Sequence, residues 1–265
     1  KTNIYSKDEK KSGPLPTMIK KDDQLIVTDN LANFYSINIK NGNVIWKSKN
    51  QNPFNSQIKT YKEKFFVVDS NNNLNCFSTI NGDLIWSYKT EKSFINSFKK
   101  LSILIKNNVI IFNNSIGDIT AVNLNSGSLI WQISTQNSKI YEDIMKFKTS
   151  TLIENENSIY FSNNINKFYS IDLATGALNW IQSVNSDLRP AVVGNFIFTI
   201  SLDGYFFIIE KKTGNIIRVT NLFNELKLNK KKFYSTGFVM NSEELFVSTS
   251  LGKLLVVDLQ IGRIK

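Results

Sequence analysis

Tyr169-Ser-Ile-Asp-Leu-Ala-Thr-Gly176-Ala-Leu-Asn-Trp180 decides the reading of this chain, because its second half recurs along the sequence. All four tryptophans lie four residues after a glycine, as Gly42/Trp46, Gly82/Trp86, Gly127/Trp131 and Gly176/Trp180, in the strings NGNVIW, NGDLIW, SGSLIW and TGALNW. Two more copies lack the Trp: TGNIIR puts Arg218 four residues after Gly214, and IGRIK ends soon after Gly262. The glycines are 40, 45, 49, 38 and 48 residues apart, a mean of 44. Self-similarity at such a period marks a repeat architecture.

Each unit reads as four short strands. Upstream of the glycines lie alternating runs: Phe34-Tyr-Ser-Ile-Asn-Ile, Ala121-Val-Asn-Leu, Phe168-Tyr-Ser-Ile-Asp-Leu and Leu254-Leu-Val-Val-Asp-Leu. Alternation rich in aromatic and β-branched residues is a strand signal. The residue four before each glycine is polar (Asn38, Ser78, Asn123, Asp172, Glu210, Asp258). Such a side chain folds back on the turn amides, and the glycine supplies a corner with positive φ. A second strand precedes this one, at Leu25-Ile-Val, Phe65-Phe-Val-Val, Val109-Ile-Ile-Phe, Ile159-Tyr-Phe, Phe196-Ile-Phe and Leu245-Phe-Val. A weaker strand opens each unit, and the strand carrying the Trp closes it. Asn71-Asn72-Asn73, Asn113–Asn114 and Asn163–Asn164 fall in the hairpin between second and third strands, where turn geometry explains them.

Four antiparallel strands repeated every 40 to 50 residues or so is the arithmetic of an all-β propeller. The length of 265 residues suggests two domains at about 150 residues each, but stacked blades bury one another and predict a single domain, 1–265. The expected blades are about 14–50, 53–90, 99–135, 149–184, 188–220 and 234–265. The polar stretch Asn224–Lys232 reads as an inter-blade loop.

Composition excludes several chemistries. Histidine is absent, which removes His triads and His-ligated metals, and Cys76 is the single cysteine, which removes intrachain disulfides and thiolate zinc clusters. The net charge of +10 comes from 29 Lys and only 3 Arg, and the chain is also rich in Asn (35) and Ile (33), residues with AT-rich codons. Nucleic-acid recognition favours the planar fork of Arg, and these lysines are scattered, so the charge reads as solvated surface and no nucleic acid is expected. No apolar run is long enough to span a membrane as a helix. Cys76, inside a strand, reads as a buried small residue. Tyr141-Glu-Asp and Glu154-Asn-Glu read as solvated acidic loops, not a metal site.

With these residues in view, the chain resembles the quinoprotein-type (PQQ-like) repeat, whose blade reads as a strand, a D-G hairpin, A-L-D-x-x-T-G, then a Trp. The resemblance implies that Trp46, Trp86, Trp131 and Trp180 dock between adjacent blades, with Gly42, Gly82, Gly127, Gly176, Gly214 and Gly262 as the repeat's turn glycines. Arg218 departs from the pattern, so its junction is expected to be weaker or packed differently. Quinoprotein dehydrogenases of this class hold calcium with a Glu, an Asn and an Asp, with a Trp below the quinone and adjacent cysteines above it. Cys76 is alone and no Glu falls in a strand-end cluster with Asp and Asn, so no cofactor, no metal and no catalysis are expected.

Within the class the chain is similar to the BamB family of outer-membrane assembly lipoproteins, through Leu188-Arg-Pro-Ala-Val-Val-Gly-Asn-Phe-Ile-Phe, Ser201-Leu-Asp-Gly-Tyr and Thr236-Gly-Phe-Val. That similarity implies an eight-bladed, non-catalytic scaffold at the periplasmic face of the outer membrane. It would attach through a lipid anchor not present in this chain and bind the barrel-assembly protein BamA. Leu188 and Arg189, read as an exposed loop pair, are the candidate partner contacts. The alternatives are a quinoprotein-type enzyme or ligand-binding propeller, and a luminal sensor domain.

The ends complete the expectations. Tyr5 lies thirteen residues before Met18, much as Trp46 lies twelve before Ile58, so residues 1–8 read as a strand of a neighbouring blade with Tyr5 at a Trp position. Either residues 3–6 close a six-bladed ring, or the chain is an arc of an eight-bladed propeller, which is the preferred reading.

Overall fold

The computed structural model describes residues 4–91, 99–135, 147–223 and 233–265. Contacts group them in two compact units, Lys1–Phe147 and Lys148–Lys265. Each unit holds three sheets, and every sheet is an antiparallel meander with its strands in chain order. These sheets are the blades of a β-propeller fold.

In the first unit, blade I is β1 (Thr17–Lys21), β2 (Gln24–Thr28), β3 (Asn33–Asn38) and β4 (Val44–Lys49). Blade II is β5 (Lys59–Tyr61), β6 (Lys64–Val68), β7 (Asn73–Ser78) and β8 (Leu84–Lys89). Blade III is β9 (Ile103–Lys106), β10 (Val109–Asn113), β11 (Asp118–Asn123) and β12 (Leu129–Ser134). In the second unit, blade IV is β13 (Ile153–Asn155), β14 (Ser158–Asn163), β15 (Lys167–Asp172) and β16 (Leu178–Gln182). Blade V is β17 (Ala191–Val193), β18 (Phe196–Ile200), β19 (Tyr205–Glu210) and β20 (Ile216–Asn221). Blade VI has β21 (Ser235–Met240), β22 (Glu244–Thr249) and β23 (Leu254–Asp258), and Ile264 adds an isolated bridge to Val257. The expected loop 224–232 lies outside the described residues, as does the acidic Tyr141-Glu-Asp.

Middle strands such as β6, β7, β10 and β11 are buried on both faces, because blades pack against blades. Phe66, Leu74, Cys76, Ile110, Phe112 and Val122 form one such core between blades II and III. The fourth strands are mostly exposed.

The turns follow the polar residue four before the glycine. Oδ1 of Asn38 accepts from the amides of Lys40 and Asn41, Asn123 from Asn125 and Ser126, Asp172 from Ala174 and Thr175, and Asp258 from Gln260 and Ile261. Glu210 instead takes the Thr213 hydroxyl. The Asn-rich hairpin of blade II goes beyond turn geometry. Asn72 sits at φ 62, accepts from the Ser115 amide of blade III at 3.0 Å, and donates to the Glu91 carbonyl at 3.1 Å.

A bulge recurs where β4, β8, β12, β16 and β20 pair with their third strands, always one residue before the Trp position. The bulge residue is left unpaired and the Trp is re-aimed. The residues directly opposite the four tryptophans are small: Ser36, Cys76, Ala121 and Ser170. The indole rings of Trp46, Trp86 and Trp180 lie over Gly82, Gly127 and Gly214 of the next blade. Trp46 Nε1 donates to the Thr79 carbonyl and Trp180 Nε1 to the Lys211 carbonyl, each at 3.0 Å. Both acceptors are three residues before the turn glycine.

Arg218 fills this role differently. Its Nη1 donates to the carbonyls of Leu259 (3.1 Å) and Gln260 (3.2 Å), the former at the position the indoles use, and its Nη2 approaches Gly262. Opposite it stands Ile208, larger than the residues facing the tryptophans. Arg218→Trp is therefore expected to overpack and to destabilise by about 1–3 kcal/mol, and Ile208→Ala is expected to rescue it. Chemical denaturation of the single and double variants measures this, and a fully stable single variant would refute the steric account.

The N-terminus corrects the sequence reading. Residues 4–6 are not a strand, and Lys7–Lys11 form a short helix, α1. Ser6 caps it: its Oγ accepts from the Glu9 amide at 3.2 Å, and Glu9 Oε2 accepts from the Ser6 amide at 2.8 Å. Asp8 and Glu9 in the first turn and Lys10 and Lys11 in the last suit the helix dipole. Tyr5 does not occupy a Trp position. Its hydroxyl meets that of Tyr35 at 3.2 Å, with the rings edge to face.

Candidate functional site

The loop before β17 carries the proposed contact pair. Ser186, fully buried, donates from Oγ to the Ile200 carbonyl at 2.6 Å and accepts from the Leu188 amide at 3.2 Å. This pins Leu188 inward, where it is 7% exposed and packs with Ile200, Phe206, Leu222, Leu245 and Val247. The expectation of an exposed Leu–Arg pair is corrected for Leu188, since an aliphatic side chain gains more from the core than from water. Arg189 alone is exposed, between buried Leu188 and buried Pro190. Asp187 beside it lies 3.9 Å from Lys148.

A second kind of surface was less legible in the sequence. The fourth strand ends the sheet in each of blades I to V. Its other edge pairs with no strand among the described residues. Exposed apolar pairs sit there: Val44/Ile45, Leu84/Ile85, Leu129/Ile130 and Ile216/Ile217. A free edge of amides and carbonyls is a template for strand addition.

Between blades I and II a polar cleft of about 440 Å³ is walled by Lys49, Asp69, Asn73, Asn75, Ser87 and Lys89. Asp69 is 2% exposed, and its carboxylate is saturated by the amides of Asn71 and Asn73 and the side chains of Asn52, Asn73 and Asn75. It organises the hairpin and has no capacity left for a cation.

Among the described residues no three His, Cys, Asp or Glu side chains converge as a metal site requires. Cys76 is fully buried against Trp86 and Phe66, and burial pushes its thiol up to about 12. A neutral, enclosed thiol is a poor nucleophile. Cys76 is therefore expected to resist an aromatic disulfide reagent at pH 8 and to react fully in denaturant; rapid titration of the folded protein would contradict its placement.

The blade meanders are matched by comparison with known proteins. The family model described as outer membrane protein assembly factor BamB matches residues 5–220. The chain belongs to the BamB family. Sequence comparison with curated proteins returns no match. Among solved structures, BamB from Moraxella catarrhalis superposes with a TM-score of 0.77 at 13% identity, over 95% of this chain and 74% of that one. The computationally designed Ika8 protein follows at 0.65 and 10% identity, over 92% and 71%. Quinohemoprotein alcohol dehydrogenase from Comamonas testosteroni gives 0.60 and 15%, over 78% of this chain but 42% of its own. At such identities these structures share the fold. BamB-family membership and the propeller architecture make the chain a propeller scaffold. The sequence pointed to the junction residues through their phase, but it did not reveal the bulge, the small residues facing each Trp, or the burial of Leu188.

Proposed function

We propose that this chain is a non-catalytic scaffold, acting as one propeller domain, that binds a protein partner in outer-membrane β-barrel assembly. The proposed partner is BamA and the proposed location is the periplasmic face of the outer membrane, with attachment through a lipid anchor outside this stretch. The match to the BamB family over residues 5–220 carries the reading. The free fourth-strand edges support it, since a partner strand can add there through backbone hydrogen bonds. Exposed Arg189 on a loop anchored by buried Leu188 is the proposed side-chain contact. Co-purification from the native host is expected to return outer-membrane assembly components; a clean preparation without any would sink the assignment. Arg189→Glu is expected to weaken capture with the melting temperature unchanged. Leu188→Ala is expected to act through stability first.

The scaffold reading also makes a calorimetric prediction. Titration with PQQ and Ca²⁺ is expected to show no saturable heat at micromolar ligand, because the chain gathers no carboxylate cluster among its described residues. Sub-micromolar binding would restore the enzyme reading.

A further inference from the structure

The repeat provides an internal standard: where one blade departs from the others at several positions, and the departures meet in space, they need a cause. The junction of blades IV and V departs in this way. The cross-strand row leading to the Trp position is Ile26–Ser36 in blade I, Phe66–Cys76 in blade II, Ile111–Ala121 in blade III and Phe198–Ile208 in blade V. In blade IV it is Tyr160–Ser170, two hydroxyls. The bulge residue before the Trp position is Ile45, Ile85, Ile130 and Ile217 in the other blades, but Asn179 in blade IV. Three residues before the turn glycine the repeat places Ile39, Thr79, Leu124, Leu173 and Leu259, but Lys211 in blade V.

All four residues line one cleft of about 620 Å³ in the second unit, together with Glu156 and Ser158. Tyr160 is only 3% exposed, and its hydroxyl bonds to no protein group among the described residues. Asn179 Nδ2 donates to Ser158 Oγ and Ser170 Oγ, both at 3.2 Å, which fixes the amide and leaves its Oδ1 as an acceptor. The Lys211 side chain is 12% exposed, and its Nζ donates to Glu156 Oε1 at 2.7 Å and Asn155 Oδ1 at 2.9 Å. An ammonium has three donors, so one remains. Burying polar groups costs stability unless they gain partners, and apart from Ser36 and Thr79 the other blades use non-polar side chains or Cys at these positions.

We infer that this cleft is a binding site for a small hydroxylated molecule, a mono- or disaccharide. Lys211 is already paired with Glu156, which leaves Lys212 at the cleft wall as the charge open to a simple anion, and phosphate is the competing probe for that reason. The pair also sets a donor beside an acceptor, the arrangement that two neighbouring sugar hydroxyls complement. The Tyr160 hydroxyl and the Asn179 carbonyl oxygen add one group that both donates and accepts and one that accepts. The volume lies in the range of small-molecule sites, about 300–1,000 Å³.

The test is titration of the full chain with glucose and with maltose, followed by amide chemical shifts, with inorganic phosphate as the competing probe. Saturable shifts confined to the surroundings of residues 156–160, 170, 179 and 211 are expected with at least one sugar. Asn179→Ile and Lys211→Leu install residues that the repeat uses elsewhere, so each is expected to keep the melting temperature while weakening the sugar by at least about tenfold. Tyr160→Phe removes only the hydroxyl and is expected to weaken it as well. No saturable shift with either sugar would overturn the inference, as would unchanged titration in both Asn179→Ile and Lys211→Leu. Phosphate binding at the same residues as tightly as sugar would also overturn it.

Discussion

Trp180→Ala is expected to lower the stability of the chain by about 3–5 kcal/mol, the range for deleting a buried aromatic side chain. The ring is 9% exposed and stacks on Phe168 at 5.9 Å with an interplanar angle of 18°, while Tyr160 lies 6.0 Å away. It closes a core with Val184, Ile197 and Ile209, so it belongs to blade IV by chain and to blade V by contact. Its Nε1 satisfies the Lys211 carbonyl, which the alanine variant would leave without that donor. Because Ser170 stands opposite, no large neighbour is placed to fill the void. Urea unfolding of the wild type and the variant measures the loss. Trp180→Phe should recover part of it, keeping ring area but not the hydrogen bond. A loss below about 1 kcal/mol in the alanine variant would refute the docking role.

Gly127→Ala is expected to cost about 2–4 kcal/mol, from left-handed strain and overpacking together. Gly127 has φ +70, and a Cβ there would lie 2.6 Å from Cε3 and 2.7 Å from Cδ2 of Trp86. The ring cannot retreat, because Trp86 packs against the buried core that includes Phe66 and Cys76. Gly194→Ala is the control. Its φ is +58 and nothing lies within 4 Å of the added carbon, so it carries the backbone strain alone. It is expected to cost about 1 kcal/mol. Equal losses in the two variants would show that the ring contact contributes nothing, and a changed Trp86 emission in Gly127→Ala alone would confirm it.

Much of this follows from one spacing. A glycine four residues before a Trp, with a polar residue four before the glycine, contains the turn, the strand end and the packing residue within nine positions. Local rules suffice there: Asp172 and Asn123 reach amides two and three residues ahead, and the glycines take the corner. Hydrophobic runs such as Phe65-Phe-Val-Val marked the doubly buried strands for the same reason, since a strand enclosed on both faces needs no alternation.

The repeat, the blade and the BamB-type class were therefore legible from the amino-acid order, because all three depend on residues close together in the chain. Tertiary structure alone decided the rest. Leu188 turned inward because Ser186 and the strands β18 and β22 surround it, and those partners are up to some sixty positions away in the chain. Ile4-Tyr5-Ser6 left the strand pattern because a capping box with Glu9 and the hydroxyl of Tyr35 competed for it. Arg218 replaced an indole because Ile208 across the sheet denies the ring its space while the Leu259 carbonyl still asks for a donor. Lys211 joined Tyr160, Ser170 and Asn179 only when blades IV and V stacked. Periodicity encodes which face of a strand is apolar; it does not encode what a side chain finds across the gap between blades.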